Sequence, residues 1–352
     1  MALTFSTLED FLSHDFDTVI DVRSPSEFAE DRVPGAISLP VLDDEERARV
    51  GTIYKQQSPF LARKLGAALV FRNASMHLEH SLSHHEGGWR PLVYCWRGGQ
   101  RSGSFAWMLK EIGWRAETVQ GGYRTYRRLV NAYLYDRPLP HRFVLVDGNT
   151  GTAKTDLLHE MAGRGWQVLD LEGVANHRGS LLGGMGDQPS QKAFESTLAG
   201  VLTRMDPTRP VLVEAESSKI GERIIPPSVW ALMKDAPRIA VEAPMPARVG
   251  YLVRAYDDIL SDGPRLEALL WHLRSVRGHE MVDGWLARIA EGDKPGLTEA
   301  LMAQHYDPAY AKSRRAIGAD PVAVVQADTL DASGIAATAS KVEAVLDGLS
   351  KG

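Results

Sequence analysis

Two segments of this chain share one pattern, in which a short apolar run ends in a glycine-containing loop that opens a helix-like stretch. The run Pro91–Tyr94 leads into residues 95–102, and the run Arg142–Asp147 leads into residues 148–155. Other short apolar runs alternate with helical patterns, at 18–22, 36–39, 117–119, 166–171 and 210–214. Strands spaced by helices form mostly parallel sheets covered on both faces, so the sequence predicts an α/β fold. Ligands of such sheets bind at the carboxyl ends of the strands, where both loops fall.

The length and a proline-rich break predict two domains. A chain of 352 residues can bury two cores, and prolines 138 and 140 disfavour helix between residues 136 and 141. We therefore predict an N-terminal domain at 1–137 and a second domain at 138–352. After Pro246 the pattern turns helical, with apolar residues at helical spacing at Leu266, Leu269, Leu270, Leu273, Trp285 and Ile289. These residues predict a helical C-terminal part of the second domain.

Composition excludes several protein classes. The chain is 44% hydrophobic and 24% charged, which is ordinary for a globular protein. A single cysteine excludes an internal disulfide and a cysteine-rich zinc site, and it fits a reducing compartment. No apolar run approaches the roughly 18–20 residues of a membrane span, and no basic segment leads into an apolar one at the start. We therefore expect a cytoplasmic protein that does not contact membranes.

Charge is unevenly distributed along the chain. The net charge of −5 gives no general indication of nucleic-acid binding. Residues 115–142 nevertheless contain six arginines, at 115, 124, 127, 128, 137 and 142, against Glu117 and Asp136. This segment predicts either a phosphate-binding surface or a solvated basic face, and the sequence leaves both open.

The only cysteine, Cys95, stands between the apolar run and the helix of the first segment. The loop after it consists of Trp96, Arg97, Gly98, Gly99, Gln100, Arg101 and Ser102. The helix dipole and the two arginines favour a thiolate, and the glycines let backbone amides converge on an anion. We predict a reactive Cys95 in an anion-binding loop; the alternative is a buried structural cysteine. Because there is no second cysteine, sulfur carried by Cys95 must pass to a substrate or to an outside thiol.

The loop of the second segment has the context of a phosphate-binding P-loop. It consists of Gly148, Asn149, Thr150, Gly151, Thr152, Ala153, Lys154 and Thr155. Lys154 would reach terminal phosphate oxygens, and the Thr155 hydroxyl could hold Mg²⁺. Ala153 stands where the pattern has glycine, and alanine resists left-handed backbone angles. A loop changed in this way could bind a diphosphate without hydrolysing a nucleotide; the alternative is an ordinary glycine-rich turn.

Further polar residues follow the neighbouring predicted strands. Glu214 or Glu216 could supply a second contact to Mg²⁺, although exposed acids at a strand end are equally plausible. The loop after the strand at 166–171 predicts a substrate site through Glu172, Asn176, His177 and Arg178. A hydrogen-bonded structural histidine remains the alternative for His177.

The first domain resembles the rhodanese family in three separated motifs. Asp21–Phe28 and Val33–Pro40 are similar to its N-terminal motif, and Gly121–Tyr123 is similar to its closing motif. Cys95 occupies the sulfur-carrying position of that family. The resemblance implies a rhodanese-like parallel-sheet domain, followed here by a P-loop NTPase-like α/β domain.

A rhodanese domain fused to a P-loop domain resembles the tRNA 2-selenouridine synthase family. Residues 51–56, 95–102 and 171–180 add further matches. The resemblance implies replacement of sulfur by selenium in wobble 2-thiouridine of the tRNAs for Lys, Glu and Gln. It also implies selenophosphate, from a selenophosphate-producing enzyme, and geranyl diphosphate as co-substrates, with no tightly bound cofactor. Ala153 and Ala215 depart from the family pattern, where we expect a glycine and an acid.

Other functions fit parts of the sequence. The spacing from Cys95 to Arg101 and Ser102 is that of cysteine phosphatases. Against this, Tyr94 replaces the histidine that commonly precedes the nucleophile, and the P-loop domain has no role there. A sulfurtransferase, a P-loop kinase or NTPase, and a non-catalytic tRNA-binding module remain as further alternatives.

Overall fold

The computed structural model describes residues 2–179, 183–317 and 320–349. The chain forms two compact units, Met1–Pro138 with Pro189–Arg204, and Leu139–Gln188 with Met205–Gly352. The division lies one residue from the predicted boundary, but it assigns residues 189–204 to the first unit, whereas the prediction placed them in the second. The physical reason is that their helix packs in the first unit, where Ser196 donates a hydrogen bond to the buried Asp31 carboxylate at 3.0 Å.

The first unit contains a five-stranded parallel sheet. Its strands are Ala2–Leu3 (β1), Thr18–Asp21 (β2), Ile37–Ser38 (β3), Pro91–Tyr94 (β4) and Glu117–Val119 (β5). Its helices are Leu8–Leu12 (α1), Pro25–Glu30 (α2), Asp44–Gln56 (α3), Pro59–Glu79 (α4), Gln100–Ile112 (α5), Gly122–Tyr135 (α6) and Gln191–Leu202 (α9). The spatial order is β1-β5-β4-β2-β3, so the strand that leads to Cys95 is central. All four residues of β4 are buried, as expected for a parallel strand covered on both faces.

The second unit contains another five-stranded parallel sheet. Its strands are Arg142–Asp147 (β6), Gln167–Leu169 (β7), Pro210–Glu214 (β8), Arg238–Glu242 (β11) and Ala323–Gln326 (β12), and Lys219–Ile220 (β9) pairs separately with Arg223–Ile224 (β10). Its helices are Lys154–Gly163 (α7), Leu171–Ala175 (α8), Pro227–Asp235 (α10), Met245–Ala255 (α11), Asp257–Leu260 (α12), Gly263–Trp271 (α13), Arg274–Arg277 (α14), His279–Ala290 (α15), Lys294–Leu301 (α16), Asp307–Ile317 (α17) and Ala332–Leu349 (α18), with a π-helical turn at Met302–Tyr306. The spatial order β12-β11-β6-β8-β7 makes the strand before the P-loop central.

The predicted α/β fold with a helical C-terminal part is confirmed. Leu266, Leu270 and Trp285 are buried in a separate apolar cluster formed by the helices after α11. The sequence prediction gave only helices in this part of the chain, yet β12 returns to the sheet and pairs with β11. β12 is an edge strand with exposed Val324, so its burial pattern is weak. Within the described ranges, no helix combines the length and the apolar character that a bilayer span requires.

A buried ion pair lies at the end of β2. Both Arg23 and Asp21 are 0% exposed, and the Arg23 Nη2 donates to Asp21 Oδ2 at 2.7 Å. The Arg23 guanidinium also donates to the Asp31 carbonyl oxygen and lies 4.0 Å from the Tyr123 ring centroid. A buried charge without its partner is strongly destabilising, whereas an intact pair contributes little by itself.

We expect Asp21→Asn to lower the free energy of unfolding by about 3–5 kcal/mol, because it leaves the Arg23 charge buried and unpaired. Urea denaturation followed by tryptophan fluorescence measures this loss. The control is Asp15→Asn, which removes an exposed partner of Arg90 and should leave the midpoint near that of the wild type. Equal midpoints for Asp21→Asn and the wild type would contradict the assigned role of the pair.

Candidate active sites

The Cys95 loop lies at the carboxyl edge of the first sheet, between β4 and α5. Cys95 is 3% exposed, and the Ser102 hydroxyl donates to its Sγ at 3.3 Å. Gly99 precedes the helix with a φ of +72°, which lets the loop turn directly into the first turn of α5. The N–H groups of a first helical turn have no intrahelical acceptors, so those of Gln100 to Ser102 are the groups that can bind an anion.

The start of α6 is fastened to the backbone of the Cys95 loop. Gly122 has a φ of +59°, and a Cβ there would lie 2.2 Å from the carbonyl oxygen of Cys95. The N–H of Tyr123 donates to that oxygen at 2.8 Å, and the N–H of Arg124 donates to the Trp96 oxygen at 3.1 Å. Only glycine fits this close approach, which explains the second glycine of the predicted closing motif.

The two arginines of the Cys95 loop have different surroundings. Arg97 is exposed, whereas Arg101 Nη1 donates to the buried Glu27 carboxylate at 3.1 Å. Burial opposes ionisation of Glu27, but the charge and hydrogen bond of Arg101, the Ser24 N–H and the charge of Arg47 together outweigh it and hold the pKa of that carboxyl below its usual value. Arg101 is therefore engaged in fixing the start of α5, and the loop amides are the more available anion-binding groups.

The second loop has P-loop geometry between β6 and α7. Gly151 adopts a φ of +84°, and a Cβ there would lie 2.8 Å from Leu252. A Cβ on Gly148 would lie 2.8 Å from the Val241 carbonyl oxygen. The half-buried Lys154 donates to the Gly148 carbonyl oxygen at 3.0 Å, which folds its side chain back over the loop.

Ala153 adopts the left-handed conformation that a P-loop glycine usually takes, with a φ of +57°. This conformation costs an alanine about 1–2 kcal/mol. The residue is 3% exposed and belongs to an apolar cluster with Val146 and Leu157, and a buried methyl contributes about 0.8 kcal/mol. The alanine that the sequence analysis expected to resist this geometry is thus accommodated by packing beneath the loop.

Three glutamates converge on Thr155. Carboxylate oxygens of Glu172, Glu214 and Glu216 lie within 4.8 Å of one another. The Thr155 hydroxyl is 2.6 Å from Glu214 Oε1 and 3.2 Å from Glu172 Oε2. Glu214 is 0% exposed, and its Oε2 has no hydrogen-bond partner among the residues that the structure describes. Clustered carboxylates with an unsatisfied oxygen beside a hydroxyl fit Mg²⁺, which prefers hard oxygen ligands.

The three carboxyl groups hold protons more tightly than isolated glutamates do. Burial, followed by the charge of Glu172, raises the pKa of Glu214 to about 8. Burial and a neighbouring carboxylate likewise raise the pKa of Glu172 and of Glu216. Burial disfavours the charge of Lys154, but the Tyr310 hydroxyl and these carboxylates outweigh it and raise the pKa of the amine. A bound divalent cation would therefore displace protons from this cluster.

A cavity of about 360 Å³ opens beside the P-loop. Its polar lining includes Lys154, Thr155, Asp156, His159, Asp170, Glu172 and Arg178. Its aromatic and apolar lining includes Met185, Tyr251, Leu252, Ala255, Tyr256 and Tyr310. A small apolar cavity of about 30 Å³ shares Leu252 and Tyr256 with it. The cavity thus combines a loop of P-loop geometry with apolar and aromatic surface.

The structure separates the other predicted residues of this region. Arg178 lines the cavity and donates to Asp258 at 3.1 Å. Asn176 and His177 are engaged in the loop itself: Asn176 donates to the Asp187 carbonyl oxygen at 3.0 Å, and His177 Nδ1 accepts from the Gly179 N–H at 3.1 Å. Burial lowers the pKa of His177. Ser180, at the end of the matching motif, lies outside the described residues.

Several residues of both sites were missed by the sequence analysis. Glu27, which engages Arg101, lies inside a motif that was interpreted only as a family match. Tyr251, Tyr256 and Tyr310 come from helices α11 and α17 and the junction before α12, far along the chain from the P-loop. They belong to no motif of the sequence, and no local signal relates them to a phosphate site.

The comparisons with known families agree with this geometry. The model of the tRNA 2-selenouridine synthase AAA domain matches residues 141–263, and that of the rhodanese-like domain matches residues 4–129. The tRNA 2-selenouridine synthase of Nitrosomonas europaea is 39% identical over 244 residues, or 68% of this chain and 63% of that relative. The one of Hahella chejuensis is 33% identical over 336 residues, or 83% of this chain and 84% of the relative. A tRNA 2-selenouridine synthase of Pseudomonas putida is 34% identical over 333 residues, or 85% of this chain and 88% of that relative.

The raised pKa of Glu214 generates a pH prediction. A carboxyl with a pKa of about 8 in the folded chain, against 4.5 ordinarily, stabilises the fold below pH 4.5, and this stability is lost as pH rises towards 8. In EDTA, we expect the thermal midpoint of the wild type to fall over this range more steeply than that of Glu214→Gln. The control is Glu222→Gln, at an exposed glutamate, which should follow the wild type. Parallel curves for the wild type and Glu214→Gln would contradict the assignment.

Proposed function

Because this chain belongs to the tRNA 2-selenouridine synthase family, we propose that it replaces sulfur by selenium in the wobble 2-thiouridine of tRNA. Selenophosphate is the proposed selenium donor, and geranyl diphosphate is the proposed donor of a prenyl group. The observation that carries the proposal is that two different strand–loop–helix junctions, the Cys95 loop and the P-loop with its cavity, have the geometry of anion sites. Two such sites match two phosphate-bearing donors of unlike shape.

The P-loop cavity suits the prenyl step. In this step the uridine sulfur attacks C1 of the geranyl group, and the C–O bond to the diphosphate breaks with its electron pair on oxygen. Lys154 and the loop amides would stabilise the departing diphosphate. The aromatic and apolar walls around Tyr251 and Leu252 would hold the hydrocarbon chain. Thr155 and the three glutamates would hold Mg²⁺, which supplies additional positive charge to the diphosphate.

The Cys95 loop suits the exchange step. Alkylation turns the sulfur on C2 into a better leaving group. The selenophosphate selenium attacks C2, geranylthiolate departs with the electron pair of the C2–S bond, and water cleaves the Se–P bond, which releases phosphate and leaves selenium on C2. We propose that Cys95 directs the selenium to C2 while the first turn of α5 holds the donor's phosphate oxygens. The tRNAs for Lys, Glu and Gln are the proposed substrates, and a selenophosphate-producing enzyme is the proposed source of the donor.

We expect Cys95→Ser to abolish selenouridine, because the hydroxyl replaces the sulfur at the centre of the loop. Geranylated thiouridine should persist or accumulate, since the P-loop site is unchanged. Mass spectrometry of wobble nucleosides, from cells that lack this protein and are complemented with each variant, measures both products. The accumulated intermediate serves as the internal control for folding. Normal selenouridine in the Cys95→Ser strain would refute the role of Cys95.

We expect Lys154→Ala to lower the rate of geranylation roughly 10²–10³-fold, the usual loss when one donor to a developing negative charge is removed. The assay follows transfer from geranyl diphosphate to a thiolated anticodon stem–loop RNA. Lys234→Ala removes an exposed lysine of the same unit and should retain the wild-type rate. Undiminished geranylation by Lys154→Ala would separate the P-loop from the prenyl donor.

A further inference from the structure

Helix α6 presents a row of polar side chains on its exposed face. Arg124, Arg127, Arg128 and Asn131 are three or four residues apart and therefore lie on one side of the helix. The opposite side is apolar and buried, with Tyr126, Leu129, Val130, Tyr133 and Leu134. Arg124 and Arg128 are exposed, and neither is needed for the packing of the helix.

The exposed face of α6 borders an open hollow of about 780 Å³, which we call the α6 hollow. Trp96 and Tyr123 line it from the side of the Cys95 loop, and Lys192 and Glu195 line it from α9. Arg127 forms an ion pair with Glu195, so the negative charge of that wall is neutralised within the hollow. Asp136 also lines the hollow, but the exposed charges of Arg124 and Arg128 outnumber this carboxylate, so the surface is cationic on balance.

The α6 hollow is connected directly to the Cys95 loop. The backbone of Tyr123 and Arg124 is bonded to the carbonyl oxygens of Cys95 and Trp96, so α6 cannot shift without moving the loop. The Trp96 ring stacks on the Tyr123 ring, with centroids 5.3 Å apart and planes inclined by 29°. An aromatic platform thus lies one residue from the reactive cysteine, beside the row of arginines.

We propose that the α6 hollow binds the single-stranded anticodon loop of the RNA substrate, with Arg124 and Arg128 on backbone phosphates and an unpaired base stacked on Trp96. Unpaired RNA loops are recognised by this combination of guanidinium groups and aromatic rings, because every base has a face that stacks. Placed there, the loop presents its wobble base to Cys95. The inference rests on the proposed function for the identity of the RNA, but the binding surface is testable without catalysis.

The other arginines of residues 115–142 do not belong to this surface. Arg115 lies two residues before β5, at the amino edge of the parallel sheet and opposite the edge of Cys95. Arg137 pairs with Glu9, and Arg142 begins β6 in the second unit. The basic segment of the sequence thus resolves into one phosphate-binding face on α6 and three arginines with other surroundings.

The test measures the affinity of the full-length chain for a fluorescein-labelled anticodon stem–loop RNA with an unmodified wobble uridine. We expect Arg124→Glu with Arg128→Glu to weaken binding about 25-fold at about 0.1 M salt. On a single strand, each phosphate contact contributes about 0.7 to the slope of log K for RNA binding against log salt concentration. Loss of two contacts should therefore reduce the magnitude of this slope by about 1.4. Fluorescence anisotropy between about 50 and 200 mM salt gives both values.

The matched control carries the same change of charge elsewhere in the first unit, as Arg115→Glu with Arg49→Glu, both at exposed arginines. Its affinity and salt slope should stay close to those of the wild type. Equal losses in the two double variants would overturn the inference, since they would reflect net charge alone. The inference would also be overturned if the α6 variant bound RNA as tightly as the wild type but took up less selenium from selenophosphate. That result would assign the surface to selenophosphate binding.

Substitution of Trp96 tests the stacking contact. Trp96→Leu should weaken RNA binding, whereas Trp96→Phe should restore most of the affinity, because phenylalanine retains a face on which a base can stack. Equal affinities of Trp96→Leu and Trp96→Phe would refute the stacking contact. The chain could also bind RNA through α6 and yet leave the wobble base unmodified. This result would support the RNA-binding surface and refute the proposed function.

Discussion

The buried guanidinium of Arg23 is the interaction on which the first site depends. It is bonded to the Asp21 carboxylate and to the Asp31 carbonyl oxygen, and it lies against the Tyr123 ring. Tyr123 in turn donates its hydroxyl to Asp31 at 2.7 Å and its N–H to the carbonyl oxygen of Cys95. A buried charge is tolerated when it is paired with an opposite charge and makes additional hydrogen bonds. The end of β2, the segment after α2 and the start of α6 are therefore held together around the cysteine loop.

The two anion sites use the same element of structure in different surroundings. Each lies where a central parallel strand ends and a helix begins, so the helix N–H groups point at the ligand. The Cys95 loop borders a cationic and open hollow, which suits a small anion and a polynucleotide. The P-loop borders walls that include Tyr251, Leu252 and Tyr256, which suit a ligand with a phosphate head and an apolar tail. We propose that the strand–loop–helix fixes where phosphate binds, and that the surrounding side chains select which phosphate compound binds.

Local patterns in the sequence predicted the central strands and both loops, because buried parallel strands are continuously apolar and glycines mark the turns. They did not predict β12, whose exposed edge position weakens its apolar pattern, nor the place of α9, which follows from long-range contacts of Ser196 and Glu195. The convergence of Glu172 with Glu214 and Glu216 was only partly predictable. Their positions after strands were visible in the sequence, but their separation and burial depend on the order of β6, β7 and β8 in the sheet.

The charge of the whole chain explains why an RNA surface would have to be local. With a net charge of −5, the protein as a whole repels a polyanion, and screening limits this repulsion to about 10 Å at 0.1 M salt. A few arginines on one helix face can then dominate the potential where the RNA approaches, provided that nearby carboxylates are neutralised. The ion pair between Arg127 and Glu195 removes the nearest buried negative charge from the α6 hollow. The negative charge on the rest of the surface would also disfavour binding of RNA elsewhere on the chain. The charge pattern that weakens non-specific RNA binding would therefore also orient the anticodon loop towards Cys95.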